Sequence, residues 1–289
     1  MATPAGTDYP WREPSKLVAR GAFIVIEGLD RAGKTTQVKK LCDALYDAGH
    51  NIQTIRFPDR TTPIGKMIDS YLQSKTEMDD HAIHLLFSAN RWEKSKWIKE
   101  TIAKGYTIVC DRYYYSGMIY SAAKQNPELS LKWAKSPDIG LPRPDAVIFL
   151  NLDPEEAEKR GGYGTEKYER KEMQQRVRQL FLDMEYVRHD EAIDMIVIDA
   201  GKSVQQVADS IYSEAAITVD AAEGGKARGP LGVVRDWPEG TVDRVPEVRR
   251  KTENGELIVE RHLRESIRKG HTEYNPGTGE WLVKPWLCD

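Results

Sequence analysis

The segment GLDRAGKT, from Gly28 to Thr35, constrains this chain more than any other part of it. Glycine, four further residues, then glycine, lysine and threonine lie between two stretches of opposite character. Before them AFIVIEG is a continuous apolar run that stops at Gly28. After them KTTQVKKLCDALYDAGH places Val38, Leu41, Leu45 and Ala48 at helical spacing, with Gly49 as a stop. A strand that turns through glycines into a helix is the setting in which this motif cradles phosphate. The glycines let successive backbone N–H groups turn inward, and the helix N-terminus adds partial positive charge. Lys34 is then expected to span the β- and γ-phosphates, and the Thr35 hydroxyl to reach Mg²⁺. A glycine turn with a chance lysine is the bland reading, and the strand before and helix after count against it. The motif implies a nucleoside triphosphate and is silent about what receives the phosphate.

Four more β-like runs follow: NIQTIRF, YTIVCD, DAVIFLNL and DMIVIDA. Between them PIGKMIDSYLQ, HAIHLLFSANRWEKSKWIKETIAKG and EKYERKEMQQRVRQLFLDMEYVRHDEA are helical in pattern. Strands that are apolar throughout predict burial on both faces, and their alternation with helices predicts a parallel sheet with right-handed crossovers. The expected organisation is an N-terminal extension over residues 1–20 and a doubly wound α/β domain over 21–216. A linker and the end of the core over 217–234 and a C-terminal extension over 235–289 complete it. Turn signals in that extension, at Asn254-Gly255 and Pro276-Gly277, predict two β-hairpins.

With 289 residues and 40% hydrophobic content, the chain can bury a sizeable core. A net charge of −3 gives no support for polyanion binding by global charge, so nucleic acid is not an expected partner. Cys42, Cys110 and Cys288 are odd in number and widely spaced, which suggests neither a disulfide framework nor a zinc site. The first twenty residues resemble neither a secretory signal nor a typical transit peptide, and no apolar run approaches membrane-spanning length. The expectation is a soluble protein, cytoplasmic or nuclear.

The acceptor is read from what is missing and from two arginine clusters. A GTPase should carry an Asn-Lys-x-Asp guanine reader, and this sequence has no Asn-Lys pair. TIVCDRY puts Asp111 at a strand end with Arg112 immediately after it. A cation beside a metal-binding carboxylate points to a second phosphate, and so to a kinase acting on a phosphorylated acceptor. RFPDR ends the second strand with Arg56 and Arg60 around Phe57, where open α/β sheets bind ligands. LLFSANRWE puts Phe87 and Arg91 four apart on one helical face, suited to stacking on a base and reading its edge. Taken singly, Phe87 reads as core and Arg91 as a solvated surface residue.

FIVIEGLDRAGKTTQ, RFPDRTTPIGKMI, HLLFSANRWE, DRYYYSG, LPRPDAVIFL and RGGYGTEKYE together resemble a thymidylate kinase of the eukaryotic kind. The resemblance implies a P-loop kinase fold: a five-stranded parallel sheet with helices on both faces and a short lid, KRGGYGTEKYER. It implies ATP as phosphoryl donor, dTMP as acceptor, Mg²⁺ as cofactor and a homodimer. The donor cradle would be Gly28, Asp30, Arg31, Ala32, Gly33, Lys34, Thr35 and Thr36. Arg160 would pack on adenine, and Lys202 belongs to the loop that closes that site. For dTMP, Arg60 and Arg112 would bind the phosphate, Phe87 would stack on thymine, and Arg91 would donate to its O4. Phe57, Ser116 and Tyr120 would line the nucleoside pocket, and Asp30 would meet the 3′-hydroxyl. Tyr168 and Gln174 would approach dTMP from the lid. Thr35, Asp111 and Glu169 would serve the metal, and Arg31, Lys34, Asp111 and Arg112 would be catalytic. A deoxynucleoside kinase, or a nucleotide-binding interaction protein acting through its tail, are the competing readings.

Overall fold

The computed structural model describes residues 9–160, 166–184, 195–225, 229–237, 272–275 and 280–283. Its central sheet holds β1 (Phe23–Gly28), β2 (Ile52–Arg56), β3 (Thr107–Asp111), β4 (Ala146–Asn151) and β5 (Met195–Asp199), all parallel, in the order β2-β3-β1-β4-β5. These are the five runs the sequence predicts. Every residue of β1 and β3 is buried, because helices cover the sheet. Helix α1 (Lys34–Asp47) packs on β1, β2 and β3 and against α8 (Val204–Glu223), which reaches β4 and β5. A second group joins α2 (Pro63–Leu72) to α3 (Asp80–Ala103), and α3 to β3 and to α4 (Tyr114–Ala122). Helix α4 also meets α5 (Leu131–Lys135) and α7 (Lys171–Met184), and α7 meets the short α6 (Pro154–Lys159). Register sets Asp111 opposite both Ile26 and Arg56, so β2 and β3 end level and β1 runs two residues further, to Gly28.

Three boundaries differ from expectation. Helix α8 runs to Glu223 and crosses the limit expected at 216, with Ala215, Val219 and Ala222 buried on its inner face. DAAEGG reads as a linker, but alanine is the strongest helix former, and the helix stops only at the glycine pair. Residues 229–237 form a strap: Gly140 N donates to Val234 O and Val234 N to Leu141 O, both at 2.8 Å. Val234 and Trp237 are buried, so the fold extends past the limit expected at 234, and the first compact unit reaches Asp243. The N-terminal extension is docked from residue 9 onward. The Tyr9 hydroxyl donates to Asp43 at 2.7 Å, Arg12 and Asn51 exchange two 2.8 Å bonds, and the Arg12 guanidinium stands 3.4 Å over the Tyr46 ring.

The second unit, residues 244–289, is described only by β6 (Thr272–Asn275) and β7 (Glu280–Val283), an antiparallel pair with Tyr274 opposite Trp281. These strands flank the turn signal at Pro276-Gly277. The turn itself, the hairpin expected at Asn254-Gly255, and the lid glycines at 161–164 lie outside the described residues. Among the described residues no helix is long and apolar enough to cross a membrane.

Within the first unit, Arg20 ties the N-terminal segment to the loop before β4 and to the start of the strap. Its two Nη atoms hold Asp145 at 2.8 and 2.7 Å, and its Nε donates to Gly229 O at 3.2 Å. Asp145 in turn accepts from Phe23 N at the head of β1. Arg20→Ala should therefore lower the unfolding free energy by about 3 kcal/mol, the cost of leaving a largely buried carboxylate without its cation. Urea denaturation of the two proteins measures it, and a change below about 0.5 kcal/mol would show the pair to be ornamental.

Candidate active site

The phosphate loop follows directly from β1. Gly28 has φ 155, and a Cβ there would lie 2.9 Å from Leu150 O, so the close approach to β4 needs glycine. Gly33 caps α1 in a left-handed conformation, φ 91, and no side chain caps this helix. Thr62, Asp79 and Ser203 cap α2, α3 and α8 with their side chains. The first N–H groups of α1 and its positive dipole end are thus left for an anion. Lys34 is 8% exposed and its Nζ donates to Leu29 O at 2.6 Å. Burial and the nearby Arg112 cation push Lys34 down to about 8, although Asp30, Asp111 and Glu27 pull the other way. The Thr35 hydroxyl donates to Asp111 Oδ2 at 3.0 Å, whereas the buried Asp111 Oδ1 has no hydrogen-bond partner. An unanswered carboxylate oxygen beside a threonine hydroxyl fits a divalent cation or its water. Among the described residues no three His, Cys, Asp or Glu side chains gather as a metal cluster. A Mg²⁺ carried on nucleotide phosphates needs none.

A second set of groups converges on Asp30. Arg112 donates to Asp30 Oδ1 at 2.5 Å and to Ser116 Oγ at 3.0 Å. Tyr120 and Gln174 donate to Asp30 Oδ2 at 3.2 and 2.9 Å, and Gln174 Oε1 accepts from Asp30 N at 3.1 Å. Burial opposes the Asp30 charge, but Arg112 and Lys34 outweigh it and hold the carboxyl below its ordinary range. Arg112 is raised above its ordinary value, because Tyr120, Asp30 and Glu27 overcome its burial. Behind Arg112 lies Glu27, fully buried, accepting from Tyr113 N, Ser116 N and Ser116 Oγ at 2.9, 3.1 and 2.6 Å. Burial pushes Glu27 up, and Arg112 and these three hydrogen bonds oppose that. Sequence reasoning missed Glu27. Its one signal was a charged residue inside an otherwise apolar strand.

Other expected site residues are placed as follows. Arg31 and Arg112 both have left-handed backbones, φ 66 and 67, a conformation that costs a non-glycine residue about 1 to 3 kcal/mol. Arg31 stands 3.5 Å from Glu169 at the far end of the lid, so the carboxylate expected near the metal faces a guanidinium. Arg160 donates to Arg31 O and Ala200 O at 3.3 and 2.9 Å, which sets it between the phosphate loop and the loop carrying the exposed Lys202. Ala32 is buried and Thr36 is exposed on the first turn of α1. Arg60 is held by Asp69 at 2.6 Å and Glu166 at 2.8 Å. A cleft of about 570 Å³ lined by Arg56, Pro58, Arg60, Lys94 and Trp97 opens there, at the carboxyl end of β2. Phe57 is buried against Tyr113. Phe87 is half-buried against the Ile68–Tyr71–Leu72–Ile83 cluster, and Tyr168 packs between Tyr71 and Tyr120. Arg91 is no surface residue: it is 2% exposed and holds Asp138 by Nε and Nη2 at 3.0 and 2.7 Å. Asp138 carried no signal in the sequence, because its partner lies 47 positions away.

Comparison with known proteins finds one family. The family model described as thymidylate kinase matches residues 26–211. A thymidylate kinase of Homo sapiens is 48% identical over 192 residues, 66% of this chain and 88% of its own. One of Schizosaccharomyces pombe is 50% identical over 188 residues, 65% and 88% of the two chains. A solved structure of thymidylate kinase from Candida albicans superposes with a TM-score of 0.64 at 39% identity, covering 74% of this chain and 98% of that one.

Glu27→Ala would leave the Tyr113 and Ser116 amides without their acceptor and remove one of the anions near Arg112. The expected loss is about 3 kcal/mol of unfolding free energy, read from denaturant midpoints. A loss below about 1 kcal/mol would mean that water replaces the carboxylate there.

Proposed function

Because the chain belongs to the thymidylate kinase family, we infer that it transfers the γ-phosphoryl group of ATP to dTMP, giving ADP and dTDP. One observation carries the reading to this chain's own residues: Asp30, inside the phosphate loop, is bonded by Arg112 and Tyr120 from the opposite wall. The loop that grips the donor is thereby fastened to the wall that meets the acceptor.

An oxygen of the dTMP phosphate attacks the γ-phosphorus, and the bond to the β,γ-bridging oxygen breaks. A phosphate dianion is already nucleophilic near neutral pH, so alignment and charge neutralisation do most of the catalysis. Lys34 neutralises the β- and γ-oxygens. Arg112, with Arg60 from the β2 loop, receives the acceptor phosphate. Arg31 acts as an arginine finger in cis on the migrating group, where charge shifts most between ground and transition state. Mg²⁺ would be held by Thr35 and, through water, by Asp111, with Glu169 at the lid edge of that shell, and it would supply charge stabilisation at the phosphates. Phe87 and Arg91 are assigned to thymine, Ser116, Phe57, Tyr168 and Gln174 to the nucleoside pocket, and Arg160 and Lys202 to the adenine side. A homodimer belongs to the same proposal, with Leu85 and Trp92, exposed and seven residues apart on α3, as candidate contacts.

A deoxynucleoside kinase is not favoured: it needs a base at a 5′-hydroxyl, whereas this wall supplies arginines. An interaction protein is not favoured either, since the donor loop is intact. The deciding assay follows ADP release with dTMP and with thymidine. Turnover is expected with dTMP alone, and faster turnover with thymidine would overturn the assignment.

Arg31→Ala should lower kcat by about 10³-fold and leave both KM values within a few-fold. If turnover stays within about threefold, the finger role is wrong. Lys34 gives a pH signature. Its protonated form attracts the triphosphate, so kcat/KM for ATP should be level below about pH 8 and decline above it. The bound triphosphate restores the proton, so kcat at saturating ATP should hold to higher pH; a parallel decline of both would contradict this.

A further inference from the structure

The Arg91–Asp138 pair is the most deeply buried ion pair in the described part of the protein, with side chains 2% and 0% exposed. Ser88 Oγ adds a bond to Asp138 Oδ1 at 2.8 Å. Burying such a pair gives little net stability, because desolvation offsets the attraction. An apolar pair of similar volume would fill the space as well. What it would not do is fix the plane of a guanidinium. Asp138 takes two of the five guanidinium N–H groups and leaves three on the Nη1 and Nη2 end. That end lies against Gly117 of α4, where a Cβ would fall 2.8 Å from Nη1 and 2.7 Å from Nη2. Gly117 follows Ser116, and Phe87 stands one turn before Arg91 on α3.

The segment bearing Asp138 is itself held from outside by the strap. Asp138 closes a 3₁₀ turn, Ser136–Asp138, that continues α5. On one side the buried Lys135 places its Nζ 4.2 Å from the ring centroid of Trp237. On the other, Gly140, Leu141 and Arg143 pair with Val234 and Gly232 through backbone hydrogen bonds of 2.8 to 2.9 Å.

We propose that Asp138 is a positioning residue for recognition of the acceptor base, acting through Arg91, and that the strap over 229–237 keeps it in place. The inference rests on the reading of Arg91 as the group that contacts thymine. Asp138 sets the roll of the guanidinium so that its remaining donors meet an acceptor atom on the base edge. A base presenting an amino group there is refused.

Steady-state kinetics on the full chain test this with Asp138→Asn, Arg91→Ala, the double variant and Trp237→Ala, using dTMP and dCMP as acceptors. Asp138→Asn should raise KM for dTMP about 10- to 100-fold, the worth of one charge-assisted contact. KM for ATP and kcat at saturating dTMP should stay within about threefold, and the preference for dTMP over dCMP should shrink. In the Arg91→Ala background the same substitution should add less than about twofold. A melting temperature that drops while KM for dTMP stays unchanged would make Asp138 merely structural and overturn the proposal. If Arg91→Ala itself leaves KM for dTMP unchanged, the reading beneath it fails, and dTMP kinase activity still stands. Should Asp138→Asn not fold, Ser88→Ala is the milder probe, with a rise of about threefold expected and no rise counting against the proposal. Trp237→Ala should raise KM for dTMP and not for ATP; equal KM values to the parent would remove the strap from the account.

Discussion

The contact between Arg112 and Asp30 is the one on which the rest of this site depends. Each residue leaves the end of a different strand, β3 or β1, and the two strands are neighbours in the sheet. Two charges brought out of water must satisfy one another and most of their remaining hydrogen-bonding capacity, or the site loses several kcal/mol. Here they do so through Tyr120, Gln174 and Ser116, drawn from α4 and α7. Glu27 adds a second anion behind Arg112 and at the same time binds the first amides of α4. The sheet, α4 and α7 are thus joined by one polar network inside an apolar core.

The lid end shows a related economy of parts. Its short segment from Glu166 to Arg170 sends one carboxylate to Arg60 and another to Arg31. The two arginines assigned to the acceptor phosphate and the migrating phosphoryl group therefore each face an anion that competes with phosphate. A carboxylate carries less charge than a phosphate dianion, so exchange favours the nucleotide once it enters. The ion pairs restrain two long, entropy-rich side chains, which lowers the cost of ordering them on binding.

Much of the fold was legible because it rests on strong local signals. The five strands are apolar on both faces, so each run stood out without knowledge of its neighbours. The phosphate loop was legible because its spacing and its strand-to-helix setting are both local. What escaped reading depends on distant partners. Arg91 looks like a solvated residue on an amphipathic helix until Asp138 is brought beneath it. Glu27 has acceptor duties to amides 86 and 89 positions away. Docking of the N-terminal segment rests on Arg12, Asn51 and Tyr46, which follow no periodicity. The end of α8 was misjudged for a different reason: alanine and glycine were read together as a flexible composition, although they have opposite effects on a helix.

The backbone angles at Arg31 and Arg112 carry one last implication. Both residues sit where glycine would rest more comfortably, and both are the arginines assigned to the phosphates. Selection for heat tolerance alone would drift toward glycine at 31, whereas at 112 the lost bond to Asp30 would outweigh the strain relieved. The protein accepts a measure of fragility in the very loops that do its chemistry, and a consensus-based thermostabilisation should leave 31 and 112 untouched.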